Sequence, residues 1–222
     1  MIAIQRILCP VDFSDYSRRA LDHAMTIARW YSARVTLLHV IPQMPAAAYT
    51  PGPLVFEPAV SPHVDHATVL DALRRLADEE SAAGIDVELL VREGNPAAEI
   101  LSQADALPAD LLVLGSHGRS GFERLMLGSV TEKVLRKAKS PVLIVPQGLP
   151  DAVPAAPVVF KRILCPVDFS DCSTRALDFA MSLAQEAEAA WAVRLKPKHG
   201  AGRTVRSAMM APAAHRYVPA CE

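Results

Sequence analysis

Residues 6–28 of the chain read RILCPVDFSDYSRRALDHAMTIA. The short apolar run Ile7–Val11 is typical of a buried parallel strand, and Ser14 or Asp15 can cap a helix that follows it. Apolar residues then recur at helical spacing, at Ala20, Leu21, Ala24, Ile27 and Ala28. This stretch therefore predicts a strand that passes through a short turn into an amphipathic helix.

The alternation of strand and helix continues to residue 146. Further strands are predicted at Val35–Val40, Ile85–Val91, Leu111–Leu114 and Val142–Val145, and helices at Val69–Ala83, Pro96–Ala104 and Ser129–Ala138. Six prolines between residues 42 and 62 predict a long loop. This alternation indicates the α/β class, with an open five-stranded parallel sheet and helices on both of its faces.

The composition excludes several classes of protein. Lys and Arg total 23 and Asp and Glu total 24, so the net charge of −1 provides no basic field for nucleic acid. The four cysteines, at positions 9, 165, 172 and 221, are too scattered for a disulfide scaffold. The apolar runs are too short to span a membrane, and the amino terminus lacks a signal-peptide pattern. We expect a soluble cytoplasmic protein with reduced thiols.

The opening stretch occurs twice. Residues 162–184 read RILCPVDFSDCSTRALDFAMSLA, with 18 of 23 positions identical at an offset of 156, which indicates a tandem duplication. The first copy ends near residue 146, so a complete second copy would extend to about residue 302, but the chain has 222 residues. For the second copy we expect one strand, Ile163–Val167, and one helix, from Cys172 to about Ala189.

These patterns divide the chain into four parts. Residues 1–146 form a complete domain, and 147–157 form a proline-rich linker. Residues 158–190 form the truncated second copy, which has too few residues to bury a core of its own. Residues 191–222 carry six Lys or Arg and one acidic residue without a consistent period, which predicts a disordered basic tail.

A glycine-rich segment follows the fourth strand. It reads Gly115-Ser116-His117-Gly118-Arg119, and after nine residues beyond Gly118 it reaches Gly128-Ser129-Val130 at the start of a predicted helix. Glycine allows a backbone to approach a ligand closely, and a helix N-terminus presents unpaired N–H groups with a partial positive charge. This arrangement favours a phosphate, and its spacing differs from both the Walker A and the dinucleotide-binding patterns.

The ends of the first two strands are the second set of candidate residues. Ligands of open parallel sheets bind beyond the carboxyl ends of the strands, where Pro10-Val11-Asp12 and Val40 are predicted to lie. Asp12 can accept hydrogen bonds from a base or a ribose, or it can cap the helix. Val11 and Val40 can form apolar walls around a purine, or they can belong to the core.

The sequence resembles the universal stress protein family. The resemblance rests on Gly115-x-x-Gly118, nine residues, then Gly128-Ser129, on the opening PVDFS, and on the closing SPVLIVP at residues 140–146. It covers residues 1–146, with 158–190 as a truncated second domain, and it is closest to the ATP-binding subclass. It implies a Rossmann-like sheet in the order 3-2-1-4-5 and a site for ATP, with Mg²⁺ bound alongside the nucleotide.

The resemblance also implies particular contacts. Base and ribose contacts correspond to Pro10, Val11, Asp12 and Val40, and ribose and phosphate contacts correspond to Gly115, Ser116, Gly118, Arg119, Gly128, Ser129 and Val130. A homodimer through the last strand, Val142–Val145, is implied as well. The second copy retains Asp168 without the glycine motif, so we expect it not to bind ATP.

Three functions stay open on the sequence. The first is ATP binding by a regulatory stress-response protein whose protein partner is unknown. The second is weak ATP hydrolysis or phosphoryl transfer, for which Arg119 and His117 are the available side chains, although no nucleophile and base form a recognisable set. The third is an interaction module independent of nucleotide. No metal site is predicted, because His63 and His66 with Asp65 are better explained by a solvated loop that leads into a helix.

Overall fold

The computed structural model describes residues 2–43, 65–81, 84–118, 127–146, 160–195, 207–210 and 218–219. The chain divides into two compact units. The first unit is Ile4–Val153, and the second contains Met1–Ala3 and Pro154–Glu222. The predicted linker at 147–157 and most of the predicted loop at 42–62 lie outside the described residues.

The first unit contains a five-stranded parallel sheet in the order β3-β2-β1-β4-β5. Its strands are β1 (Arg6–Pro10), β2 (Arg34–Pro42), β3 (Val87–Gly94), β4 (Leu111–Gly115) and β5 (Val142–Val145). Its helices are α1 (Asp15–Tyr31), α2 (His66–Ser81), α3 (Pro96–Ala106) and α4 (Ser129–Lys137). The predicted fold class and strand order are confirmed.

The two faces of the sheet are covered by different helices. Leu8 and Leu112 belong to an apolar cluster with Ile100 of α3 and Val134 of α4. The neighbouring residues on β1, Ile7 and Cys9, point to the other face because side chains alternate along a strand, and both are buried. Helix α1 packs on β1, β4 and β5, and α2 packs on β2 and β3. Both faces of the sheet are therefore buried, as in other parallel sheets.

The second unit contains a four-stranded sheet in the order β6-β7-β8-β9 and one helix. These elements are β6 (Arg162–Val167), α5 (Asp171–Glu186), β7 (Ala190–Leu195), β8 (Ser207–Met210) and β9 (Val218–Pro219). Strand β6 pairs with β7 in parallel, whereas β8 and β9 pair antiparallel. Its small core contains Cys165, Val167 and Ala180.

Regular structure continues beyond residue 190, in the segment for which the sequence predicts a disordered tail. Strand β7 pairs with β6 from Arg162↔Ala190 to Val167↔Leu195, and β8 and β9 also lie in the segment that the sequence predicts to be disordered. The sequence around Trp191 does not predict this strand. The strand pairs through backbone groups, which every sequence has, and strand propensity depends strongly on the neighbouring strands. Within the described residues, no helix is both long enough and apolar enough to cross a membrane.

Candidate functional site

A cavity of about 320 Å³ lies at the carboxyl ends of β1, β2 and β4 in the first unit. Nine of the eleven residues predicted for the site line it: Pro10, Val11, Asp12, Val40, Gly115, Gly118, Gly128, Ser129 and Val130. Ser116 is buried beside the cavity and is not part of its lining. Arg119 lies outside the described residues. The structure therefore brings the two predicted sets of residues together around one space.

Asp12 is held in place by the turn between β1 and α1. Its Oδ1 accepts hydrogen bonds from the backbone N–H and the hydroxyl of Ser14, at 3.1 and 2.5 Å. The Asp12 N–H donates to the Ser17 hydroxyl at 3.3 Å. Between them, Phe13 has a φ of 63°, a left-handed conformation that turns the chain sharply. These bonds hold the carboxylate at the edge of the cavity.

Glycine is required at two positions because backbone or a carboxylate lies too close for a side chain. A Cβ on Gly115 would lie 2.9 Å from backbone atoms of Tyr16, so this glycine lets α1 pack against the end of β4. A Cβ on Gly118 would lie 2.5 Å from Oδ2 of Asp12. The glycine motif thus brings its backbone up to Asp12, close to the start of α4.

The N-terminus of α4 borders the cavity at Gly128, Ser129 and Val130. Gly128 is the N-cap and has no side chain with which to accept from the first turn. Its own N–H donates to the Ser116 carbonyl at 2.7 Å, and the Thr131 hydroxyl donates to the Gly115 carbonyl at 2.9 Å. These two bonds tie the start of α4 to the end of β4 and leave the first turn directed at the cavity.

The other helices of the described chain begin differently. Ser14, Asn95 and Ser170 accept hydrogen bonds from the first turns of α1, α3 and α5 through their side chains. The Asp65 carboxylate accepts from the Ala67 N–H at the start of α2, at 3.1 Å. An acceptor supplied by a bound anion can take the corresponding place at α4, where the helix dipole also favours negative charge.

Another part of the cavity lining is apolar. Val11 and Val40 are 4% and 8% exposed, and Ile100 of α3 packs in the same cluster as Val40. The Val11 N–H donates to the Leu38 carbonyl at 2.8 Å, and the Val11 carbonyl accepts from Nδ1 of His39 at 2.7 Å. A flat apolar ring fits this end of the cavity, and a charged group fits the α4 end.

Several lining residues escaped the sequence analysis. The structure adds Ser17, Leu38, His39, Pro42, Pro96, Ile100, Leu114, His117 and Thr131. His39 and Thr131 are each next in sequence to a predicted site residue, so their place in the site could have been inferred from that neighbour. Pro96 and Ile100 belong to α3, and nothing in their local pattern shows that this helix packs over the end of β2. His117 is named by the sequence as a side chain available for phosphoryl transfer, and its ring lies 5.3 Å from that of Tyr16.

Metal ligands and thiols are two kinds of reactive group that could give this site a chemical role. Among the described residues, no group of three or more His, Cys, Asp or Glu side chains could hold a metal ion. Cys9 lies in β1 behind the cavity, where burial, with a smaller contribution from Asp22, raises the pKa of its thiol to about 12. This thiol is therefore neutral and inert at physiological pH.

A second cavity of about 460 Å³ lies at the opposite edge of the same sheet, at the amino ends of the strands. Its charged lining includes Arg6, Arg34 and Glu88. The Arg34 guanidinium lies 2.7 Å from the Asp86 carboxylate, and Arg6 lies 4.0 Å from Asp110. Its cations are already paired, and open parallel sheets bind ligands at their carboxyl edge, so the smaller cavity is the better candidate.

Comparison with known proteins gives a consistent result. The sequence model of the universal stress protein family matches residues 3–146. Universal stress protein MJ0531 of Methanocaldococcus jannaschii is 34% identical over 146 residues, which cover 64% of this chain and 81% of the relative. Among solved structures, universal stress protein UspA from Lactobacillus plantarum has a TM-score of 0.56 at 27% identity, and the match covers 65% of this chain and 99% of that one.

A longer structural match includes part of the second unit. A universal stress protein from Archaeoglobus fulgidus has a TM-score of 0.59 at 24% identity, and the match covers 88% of this chain and 68% of that one. At this identity the likeness concerns the fold alone. It extends beyond residues 3–146, the part matched by the family model.

Proposed function

Because the chain belongs to the universal stress protein family, we propose that its first unit binds ATP in the cavity at the carboxyl ends of β1, β2 and β4. We propose further that it acts as a regulatory nucleotide-binding protein of the stress response. The observation that carries the proposal is the start of α4. Among the helices of the described chain, it alone begins with a residue that has no side chain to cap its first turn. It also begins at a cavity that contains an apolar end.

Each part of ATP has a matching part of the cavity. The phosphates suit the first turn of α4, with its N–H groups, the Ser129 hydroxyl and the favourable end of the helix dipole. The adenine ring suits the apolar end at Val11 and Val40. Asp12 lies beside the glycine backbone and suits a ribose hydroxyl, which donates to a carboxylate. The volume of about 320 Å³ lies at the lower end of the usual range for small-molecule sites.

Magnesium belongs to the proposal as a companion of the triphosphate. Mg²⁺ in nucleotide sites is held largely by phosphate oxygens and water, with few protein ligands. The Ser129 hydroxyl is suited to a water or phosphate oxygen in that shell.

We propose that the site binds ATP without rapid turnover. Phosphoryl transfer requires a residue that orients the attacking group and cations that stabilise the transition state. His117 is the only imidazole besides His39 in the described lining. A cytoplasmic location is part of the proposal, since ATP and reduced thiols occur there and Cys9, Cys165 and Cys172 are free.

Homodimerisation through β5 is the remaining part of the proposal. This strand is an end strand of the five-stranded sheet, and Val142, Leu143 and Ile144 are half-buried. An apolar end strand readily pairs with another chain. A nucleotide can regulate such a dimer only if it binds one arrangement of the protein more tightly than the other.

The decisive experiment is calorimetric titration of the nucleotide-free full chain with ATP, with and without Mg²⁺. We expect saturable binding at one site per chain. Asp12→Asn should weaken binding about tenfold or more, because a charged hydrogen-bond acceptor is lost. Asp168→Asn is the matched control, since Asp168 accepts from Ser170 as Asp12 does from Ser14 but lies in the second copy.

Three results would contradict the proposal. Absence of ATP binding by the folded chain would remove the function. Equal weakening by Asp12→Asn and Asp168→Asn would show that the assigned cavity is not the site. Turnover at rates typical of ATP-hydrolysing enzymes, abolished by Asp12→Asn, would replace the regulatory function with a catalytic one.

A further inference from the structure

In its described part, the second unit has an open strand edge where the first unit has a covered one. Strand β1 lies between β2 and β4 and pairs with β4 at Ile7↔Leu111 and Leu8↔Leu112. Strand β6 has nearly the same sequence, but it is the end strand of its sheet. Within the described part of the chain, no strand pairs with the outer side of β6.

The same apolar residues are buried in the first unit and exposed in the second. Leu8 is 1% exposed, whereas Leu164, at the equivalent position, is 61% exposed. Met25 of α1 is completely buried, whereas Met181 of α5 is 44% exposed. Helix α1 packs on β4 and β5 as well as β1. In the second unit, the corresponding surface of α5 has no such strand beneath it among the described residues.

The edge and the helix together form a site with the dimensions of one strand. The outer side of β6 supplies backbone groups, and α5, which packs on β6, carries the exposed Met181. Leu164 supplies apolar surface on the other face of the sheet. In the first unit this space is filled by β4, whose residues Leu111–Gly115 are all buried.

The charges at the start of the edge indicate what kind of segment fits. In the first unit, the Asp110 carboxylate accepts from the Gln5 and Arg6 N–H groups, at 2.9 Å each, and the Asp110 N–H donates to the Arg6 carbonyl at 2.9 Å. The equivalent residues of the second unit are Lys161 and Arg162, which are both basic and exposed. An acidic residue just before an apolar run would therefore meet two cations here.

We propose that the outer edge of β6 binds an extended segment of a partner protein, parallel to β6, in which an acidic residue precedes four or more apolar residues. Such strand addition combines backbone hydrogen bonds with side-chain contacts that confer specificity. A second β6 is a poor occupant. If the β6 strands of two chains paired about a twofold axis, they would lie about 4.8 Å apart and their two α5 helices would lie on the same face of the joined sheet. Packed helices need about 8–10 Å between their axes, so the two α5 helices would be too close together.

The probe is a synthetic peptide with the sequence ADLLVLGS, residues 109–116 of this chain, joined through a soluble linker to a dye. Fluorescence anisotropy with the full chain should show saturable binding. Leu164→Ser combined with Met181→Ser should weaken binding at least about tenfold, because both apolar contacts are lost. Leu135→Ser should leave the affinity unchanged, since Leu135 is a 45% exposed leucine on α4 of the first unit.

Modified peptides separate strand pairing from nonspecific adhesion. Two peptides N-methylated at alternate residues should differ, because only one set of N–H groups faces β6 in a parallel pair. Replacing the peptide's acidic residue with lysine should weaken binding further as salt is lowered, since that lysine repels Lys161 and Arg162.

Three outcomes would overturn the proposal. The first is absence of peptide binding to the folded chain, and the second is equal binding by the two N-methylated peptides. The third is an affinity that the Leu164→Ser/Met181→Ser variant leaves unchanged. Dimerisation of the full chain that the same variant abolishes would instead identify a second copy as the occupant.

Discussion

Asp12 and Asp168 show how far a short motif controls its own conformation. The Ser14 N–H and hydroxyl bond Asp12 at 3.1 and 2.5 Å, and the Ser170 N–H and hydroxyl bond Asp168 at 3.0 and 2.6 Å. These bonds lower the pKa of the exposed Asp168 carboxyl to about 2. The intervening phenylalanines have φ values of 63° and 65°. The turn therefore forms alike in two different surroundings.

Gly118→Ala tests the close approach of the glycine motif to Asp12. The new Cβ would lie 2.5 Å from Asp12 Oδ2, so the carboxylate or the loop must move. We expect ATP affinity to fall about tenfold or more, as for the loss of one charged hydrogen bond. Calorimetric titration measures the affinity, and thermal unfolding shows whether the variant is folded.

The control for this variant is a double-substitution cycle. Asp12→Ala removes the colliding carboxylate, so Gly118→Ala should cost less thermal stability in that background than in the wild-type chain. Equal costs in the two backgrounds would show that the glycine is needed for another reason.

Cys9 provides a pH-dependent test of the core. Its pKa is raised to about 12, so the folded chain keeps the thiol proton at pH values where the unfolded chain, with an ordinary pKa near 9.0, loses it. Stability should therefore be fully present below pH 9 and should fall between pH 9 and 12, by at most about 1.4 kcal/mol per pH unit. Urea unfolding of the wild type and of Cys9→Ala over this range measures the effect.

The wild type and Cys9→Ala should differ in how steeply the free energy of unfolding falls with pH. The wild type should lose stability more steeply than Cys9→Ala, because other groups that titrate in this range are common to both. Parallel slopes would mean that the Cys9 thiol is accessible to water. Thiol labelling at neutral pH provides an independent check, with the exposed Cys172 reacting before the buried Cys9 and Cys165.

At the scale of elements, the starts of α1 and α4 were more predictable than the limits of β3. The Ser14 cap of α1 and the start of α4 at Ser129 agree with the sequence prediction. Strand β3 was predicted at residues 85–91 and occupies Val87–Gly94. Helix caps are local hydrogen bonds, whereas a strand ends where its neighbour stops pairing with it, so the residues of β2 determine the limits of β3.

Ser14→Ala tests the capping of α1. The Ser14 hydroxyl accepts from the Ser17 N–H at 3.3 Å and also donates to Asp12, so its loss should reduce the free energy of unfolding by about 1 kcal/mol. Urea denaturation measures the change. Ser14→Thr should restore most of the stability, because threonine can make both bonds. A similar loss in both variants would argue against capping as the cause.

The sequence of the individual elements predicts only part of the site. The glycine motif and PVDFS bring their own residues to the carboxyl edge, because each follows a strand directly. Pro96 and Ile100 reach the same cavity from α3, and their contribution depends on how that helix packs across β2. Long-range packing of this kind leaves no periodic signal near the residues concerned.

At the scale of the whole molecule, the two units contain the same opening motif and differ in what surrounds it. In their described parts, the first unit has five strands and four helices, and the second has four strands and one helix. The cavity proposed to bind nucleotide is lined by residues of β4 and α4 in addition to β1. A unit without counterparts of them has no equivalent site among its described residues. One nucleotide per chain follows from the proposed function.

Leu143→Lys tests the proposed dimer through β5. A charged side chain on an end strand opposes pairing with another chain, so the variant should be a monomer at concentrations where the wild type is a dimer. Size-exclusion chromatography with light scattering measures the mass. Leu135→Lys places the same charge on α4 and should leave the dimer intact. If both variants are dimers, the interface lies elsewhere. If the wild type is a monomer, the proposed dimer does not form.

The repeat separates local from long-range causes within one chain. The turn, its hydrogen bonds and the helix that follows form in both copies, because these bonds join residues no more than about five positions apart in sequence. Burial does not follow the sequence in this way. Leu8 is buried and Leu164 is exposed, although both stand in the same RILCPVDFSD, because burial requires β4 and the helices that other parts of the chain supply.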